Sequence, residues 1–274
     1  MKLMNMEVRE IEKLQALSLI FKFHYSAIMP RLTDVYLGAF IGSKLVGVIT
    51  LGWGVRPLHT IRVLFPSCTT KDYYEIGKMC MDDNMPKNSE SVFLSRVIKW
   101  MKQNTTKKIL FTWADGTLGK PGYVYQSANF KYGGYIWTDL YLTENGERIH
   151  PRSAQGITNK FKQKTAKYGH RPNRQQLKKM KWDHYRGKQF RYVYFICDKR
   201  ERKKLEAESI VMWNIDYPKD MDLEWRIQNL DNGDWLVCSK LPYNTTIRSN
   251  SNKAYIKNAT QVWTYEKAGE FFKL

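Results

Sequence analysis

Along the first half of the chain, apolar spacing switches repeatedly between the helical and the strand period, and that alternation admits few folds. Residues 8–23 place Ile11, Leu14, Leu17, Ile20 and Phe21 near helical spacing and predict a helix. Two β-rich runs follow, 35–41 and 45–51, with Gly42-Ser43-Lys44 between them as the turn of a hairpin. Residues 72–82 read as a third strand. Residues 83–91 lead into a helix with Val92, Phe93, Val97, Trp100 and Met101 on its apolar face. A short strand at 108–114, a glycine-rich loop at 115–122, a short helix at 123–130 and a strand at 136–142 complete the series. This order predicts the α/β class: a mixed sheet flanked by helices.

Beyond residue 147 charge takes over as the main signal. The chain carries +19 overall, and between residues 148 and 204 there are 19 Lys and Arg against three acids, Asp183, Asp198 and Glu201. That block alone is +16, so the rest of the chain is nearly neutral. Such a block is the electrostatic footprint of a polyanionic partner. It interleaves aromatics and lacks a long apolar face, which favours nucleic acid over a membrane surface. The candidate contacts are Lys160, Lys162, Lys164, Arg171, Arg174, Lys178, Lys179, Lys181, Arg186 and Lys188. Helices are expected at 157–168, 174–181 and 199–208, and a strand at 190–197. After residue 219 short strands at 223–230, 235–239, 255–257 and 262–266 suggest a small β-rich segment. The organisation predicted is a core over 1–147, a basic extension completing it over 148–218, and the β-rich segment over 219–274.

Composition excludes several classes. No apolar run approaches the roughly 20 residues that span a bilayer, and Glu7, Arg9, Glu10, Glu12 and Lys13 break the layout of a signal peptide. The expectation is a soluble cytoplasmic protein with no membrane partner. Cys68, Cys80, Cys197 and Cys238 form no CxxC pair and no Cys/His cluster, which argues against structural zinc and disulfides.

Candidate chemistry sits at strand ends and helix starts. Asn88, Ser89 and Ser91 open the helix after the third strand, where backbone N–H groups and the helix dipole suit a phosphate, and Ser89 or Asn88 is a candidate cap. Asp115 follows a buried-looking strand, a position suited to acid–base work and equally to a turn former before glycine. Tyr125, in Tyr123-Val124-Tyr125-Gln126-Ser127-Ala128-Asn129-Phe130, resembles the tyrosine in the last helix of the acyl-CoA N-acyltransferase (GNAT) superfamily. There a phenol protonates the leaving thiolate, which implies acyl-CoA as a cofactor. The superfamily's glycine-rich pyrophosphate signature is missing at 86–91. His24 is a lone histidine after the first helix, a pattern more typical of a structural hydrogen-bonder.

His24-Tyr25-Ser26, Leu45-Val46-Gly47-Val48, Glu75-Ile76-Gly77-Lys78, Pro86-Lys87-Asn88-Ser89-Glu90-Ser91, Ala114-Asp115 and Tyr125-Gln126-Ser127-Ala128-Asn129-Phe130 occur in one order. That order resembles the Mom family of phage DNA-modification proteins, from about His24 to Asp216-Tyr217-Pro218-Lys219. The resemblance implies a GNAT-like fold and conversion of adenine N6 in double-stranded DNA to a carbamoylmethyl adduct that protects against restriction. It implies functional positions at His24, Asp115 and Tyr125, and iron near His24. Lys78 stands where the family has arginine, and the two differ in fork geometry. Tyr25, Trp53, Trp113 and Tyr123 are the candidate partners of a flipped base. Three other readings remain at this stage: an acyltransferase acting on tRNA or protein, a non-catalytic DNA-binding protein, and a SAM-dependent methyltransferase without its glycine-rich loop. The oligomeric state stays open, a homodimer included.

Overall fold

The first strand is one that the periodicity missed. Met6–Glu10 forms β1, and only Lys13–Phe23 becomes helix α1, so the helix expected over 8–23 is shorter. β1 lies antiparallel to the hairpin strand Thr33–Ile41, β2, with Val8 opposite Ala39. Val8 and Ile11 thus belong to a strand and a connection, although their spacing also fits a helix. The computed structural model describes residues 5–24, 29–30, 32–54, 57–149, 154 and 171–238.

The hairpin closes as expected. β2 pairs with β3, Lys44–Gly52, through a turn that holds Gly42 at φ +59°. A short helix α2, Ile61–Leu64, precedes β4, Tyr73–Met81. Helix α3, Ser89–Asn104, buries Phe93, Val97 and Met101 of the predicted face together with Leu94 and Ile98 beside it, while Val92 and Trp100 are only partly buried. β5 (Ile109–Asp115), α4 (Tyr123–Ser127), β6 (Lys131–Leu142) and β7 (Arg148–Ile149) follow.

Both helices expected in the described part of the basic segment are present, and the strand between them is longer than expected. Arg174–Met180 is helix α5 and Lys199–Glu208 is α6, but between them runs β8, Asp183–Phe195, which starts well before the expected residue 190. β8 enters the sheet between β5 and β6, giving the order β1-β2-β3-β4-β5-β8-β6-β7. β9 (Trp225–Gln228) pairs with β8, and β10 (Trp235–Cys238) pairs with β9. The strands expected at 255–257 and 262–266 and the helix at 157–168 lie outside the described residues.

The core forms on both sheet faces. On one, α3 packs against Leu37, Ile49, Leu51, Ile76, Leu110 and Tyr192. On the other, Ala16 and Ile20 of α1 meet Val48 and Cys80, while α2, Leu205 and Trp213 cover Tyr73, Phe111 and Val193. All four cysteines are free. Among the described residues no helix is long and apolar enough to cross a membrane.

Candidate active site

All strand pairs described above are antiparallel except β4 with β5, and that pair creates the site. They are parallel and in register for Tyr73↔Ile109, Tyr74↔Leu110 and Glu75↔Phe111 only. Beyond these residues β4 continues to Met81 beside β3, while β5 continues to Asp115 beside β8. The two strands part, and a wedge opens in the middle of the sheet where, among the described residues, their facing edges have no ladder partner.

A bulge shapes the β4 wall. Thr50 pairs with Lys78 but Leu51 pairs with Ile76, leaving Gly77 as the extra residue. A Cβ on Gly77 would lie 2.7 Å from Pro30 Cγ and 2.9 Å from Thr50 Oγ1, so only glycine fits without displacement. Thr50 Oγ1 is buried beside this bulge without a hydrogen-bond partner. Glu75, just before the bulge, lies against the backbone of Gly54, where an added Cβ would come within 2.1 Å of its carboxylate. Burial raises the Glu75 carboxyl to about 7. Lys78 is pushed down to about 8 by burial, with the charges of Cys80 and Asp115 opposing. Sequence reading passed over Glu75; its signal was a carboxylate set inside Tyr73-Tyr74-Glu75-Ile76, where a strand supplies apolar neighbours on both sides.

On the β5 wall, Asp115 has two tasks. Its Oδ1 accepts from Thr117 N at 3.0 Å and from Thr117 Oγ1 at 2.5 Å, and Arg148 Nη2 donates to that hydroxyl at 2.7 Å. This is the turn-forming role. The same carboxylate acts on the ammonium groups of Lys78 and Lys120. Burial lowers the pKa of Lys120, against the charges of Asp115 and Glu90.

Tyr125 closes the other side. The φ of Gly122 is +101°, and an added Cβ would lie 2.5 Å from the Tyr192 ring, so glycine lets α4 sit down on β8. Gln126 Nε2 donates to Tyr192 Oη at 3.0 Å and to Pro218 O at 2.9 Å. The Tyr125 ring packs 5.5 Å from both Phe130 and Tyr192, and its hydroxyl is hydrogen-bonded with Thr112. Burial raises its pKa, outweighing that bond, so the phenol keeps its proton at neutral pH.

The alternation of strands sorts these groups by face. Glu75 pairs with Phe111, and Asp115 is four residues on, so both leave the sheet on the α1–α2 side with Lys78. Thr112 and Tyr125 lie on the α3–α4 side. His24 is buried at the C-terminus of α1, where its N–H donates to Ile20 O at 2.9 Å. Tyr25 is outside the described residues. Among the described residues no three His, Cys, Asp or Glu side chains gather as a metal centre, so the expected iron finds no ligand set around His24 there.

The residues expected at the phosphate position are partly spent. Asn88 adopts φ +70° and makes no side-chain cap, Ser89 is buried with its hydroxyl donating to Pro86 O at 2.5 Å, and Ser91 Oγ donates to Asn88 O at 3.0 Å. The side-chain cap expected from Asn88 or Ser89 is thus absent, because both serine hydroxyls turn to carbonyls instead. The Ser89 N–H also donates to Pro86 O at 3.2 Å, so the donors at this helix start are the next N–H groups of the first turn, those of Glu90 and Ser91.

Of the basic residues, Lys160, Lys162 and Lys164 lie outside the described residues. Arg171 and Arg186 both bond Asp139, Arg174 donates to Asp231 O, Lys178 pairs with Asp231, and Lys181 pairs with Glu144. Lys188 pairs with Glu224, while Lys179 is exposed on α5. Of the aromatic candidates, Trp53 Nε1 donates to Thr70 O, Trp113 stands edge-on to Phe111, and Tyr123 is half exposed.

Comparison with known proteins places these features. Methylcarbamoylase mom of Escherichia phage Mu is 28% identical over 205 residues, covering 74% of this chain and 80% of that protein. Solved structures resembling it in shape include an N-acetyltransferase from Staphylococcus aureus Mu50, 12% identical, covering 70% of this chain and 99% of that one at a TM-score of 0.35. Another is a GNAT family acetyltransferase from Elizabethkingia anophelis with acetyl-CoA bound, 10% identical, covering 70% and 98% at a TM-score of 0.32. The model of the Mom protein family matches residues 5–219, from β1 through α6 and past it, with the whole wedge inside the match. This chain belongs to the Mom protein family.

Proposed function

We propose that this protein is a DNA-modifying transferase that converts the N6 amine of adenine in double-stranded DNA to a carbamoylmethyl adduct. Family membership and the methylcarbamoylase of phage Mu support the reaction class. The observation that carries the site is the wedge, with Glu75 and Asp115 on one face and Tyr125 on the other.

The chemistry sets the roles. Adenine N6 is delocalised into its ring and stacked in the duplex, so the base must leave the stack and lose a proton as the new bond forms. The face with Glu75, Lys78 and Asp115 suits that acceptor. Glu75, poised near neutrality by burial, takes the proton from N6. Asp115, held by Thr117, orients the amine through its other oxygen. Tyr125, which keeps its proton, gives it to the leaving group on the opposite face.

An acyl-CoA-like donor fits the wedge on two counts: two parting strands whose facing edges have no ladder partner among the described residues, and a helix start at its mouth. When bound, such a donor would supply an acyl group on a thiolate leaving group; transfer at its carbonyl makes an N6 amide, and the N6–CH2 bond of the carbamoylmethyl adduct is formed in a separate step. Lys78, Lys120 and the backbone at Asn88 and Ser91 would hold its phosphates, while Ser89, whose N–H and hydroxyl both turn to Pro86 O, would shape the turn.

The test is mass spectrometry of nucleosides from DNA of bacteria expressing the protein. The expected result is a new adenine nucleoside heavier by a carbamoylmethyl group. It should be absent for Asp115→Ala, and its rate of formation should drop about a hundredfold for Tyr125→Phe. Unmodified DNA from folded wild-type protein would overturn the reading.

A further inference from the structure

We propose that Arg186 and Arg226 form a clamp for a backbone phosphate of the nucleic acid substrate. The clamp rests on the reading that DNA is the substrate, and adds where its backbone is held. Arg186 on β8 and Arg226 on β9 stand directly opposite each other in antiparallel register. Like charges at paired positions of a sheet repel, and although Asp139 and Glu224 offset part of that repulsion, an anion between the two forks relieves it further.

The same two devices aim each guanidinium. Nε of Arg186 donates to Asp139 Oδ1 at 2.9 Å, and its guanidinium carbon lies 4.2 Å from the centroid of Trp235. Nε of Arg226 donates to Glu224 Oε1 at 2.7 Å, and its guanidinium carbon lies 4.4 Å from the centroid of Trp137. A carboxylate and an indole thus fix both planes in advance, which lowers the entropy lost on binding. The terminal Nη1 and Nη2 groups of both have no hydrogen-bond partner among the described residues, and the side chains remain 38% and 39% exposed. Two preoriented forks with unspent donors match the paired oxygens of a phosphodiester.

The local charge favours the same occupant. Asp139 and Glu224 are shared among Arg171, Arg186, Lys188 and Arg226, so cations outnumber carboxylates two to one. Arg186 alternates with Gly187 and Gln189, and Gln189 pairs with Asp115, so the clamp leaves the sheet on the face opposite Asp115. It therefore grips backbone away from the reacting base. Arg226 and Trp235 both follow residue 219, where the family match ends, so β9 and β10 contribute half of the clamp.

Fluorescence anisotropy with a labelled duplex across a salt series tests this on the full chain. Arg226→Gln should bind roughly three- to tenfold more weakly near physiological salt, and its slope of log affinity against log salt should be shallower by about one. Arg226→Lys keeps the charge but not the fork, so it should keep the slope and lose affinity. Wild-type affinity and slope in both variants would overturn the clamp, as would a wild-type protein that holds no duplex at low salt. Adduct formation is read separately. DNA modified by the wild type beside an unchanged Arg226→Gln slope overturns the clamp alone, and a shallower slope without any adduct overturns the reaction alone.

Discussion

Glu75 ties the pH behaviour of this protein to one residue. Its carboxyl is raised to about 7 by burial, so the fold favours the protonated form. That contribution to stability is complete below the unfolded value near 4.5 and is lost as pH rises through about 7. Activity runs the other way, because only the ionised carboxylate accepts a proton. Lys78, lowered to about 8 by burial, keeps its charge only below that value. The rate of adenine modification should therefore follow a narrow bell with limbs near 7 and 8. Glu75→Gln should remove the acid limb, slow modification by about a hundredfold or more, and raise the melting temperature above wild type at alkaline pH only. Rates and melting curves measured on both proteins across this range decide it. A variant with the wild-type acid limb would take Glu75 out of the chemistry.

At the scale of elements, Asp139 anchors β6 to β8 and to the residues before α5. Burial alone would raise its pKa, but hydrogen bonds from His184 and Arg186 and the charge of Arg171 hold it at about 2. A depressed carboxyl adds stability above its unfolded value near 3.8 and loses it as pH falls through about 2. Asp139→Asn should cost about 2 kcal/mol in denaturant titrations at pH 7, with the gap to wild type closing in acid. A constant gap at all pH values would mean that the loss comes from packing. Asp139 was invisible to sequence reasoning because its partners lie on a different strand and beyond residue 170. The same cause hid the first half of β8. Arg186 and Lys188 lie on the basic stretch that dominated the reading, yet Tyr185 and Gly187 fall on one face and Phe190 and Tyr192 on the other, as a strand requires. The hairpin, α3 and α6 were readable because each carries its own period and local turn or cap. The wedge was not, since it exists only where β4 and β5 stop pairing, and no single segment records that.

For the whole molecule the question is how a charge of +19 is deployed. Much of the basic segment is matched internally, as Arg186 by Asp139 and Lys188 by Glu224, and those pairs hold β6, β8 and β9 together. Helix α5 differs. Lys178 and Lys181 pair only with the exposed acids Asp231 and Glu144, and Lys179 is exposed on the same helix. Exposed pairs of this kind contribute little to stability and exchange readily with a stronger anion. A duplex presents a dense row of phosphates and gains counterion release on contact, so it competes well for these lysines. Charge reversal at Lys178, Lys179 and Lys181 together should therefore weaken duplex binding and make its salt dependence shallower by about two to three. Folding should be affected far less, because the buried contacts of α5 run through Leu177 into Tyr141 and Ile149. Binding isotherms at several salt concentrations, beside denaturant melts of the same variant, separate the two effects. An unchanged salt slope would remove α5 from the DNA interface and leave the β8–β9 face to carry the grip.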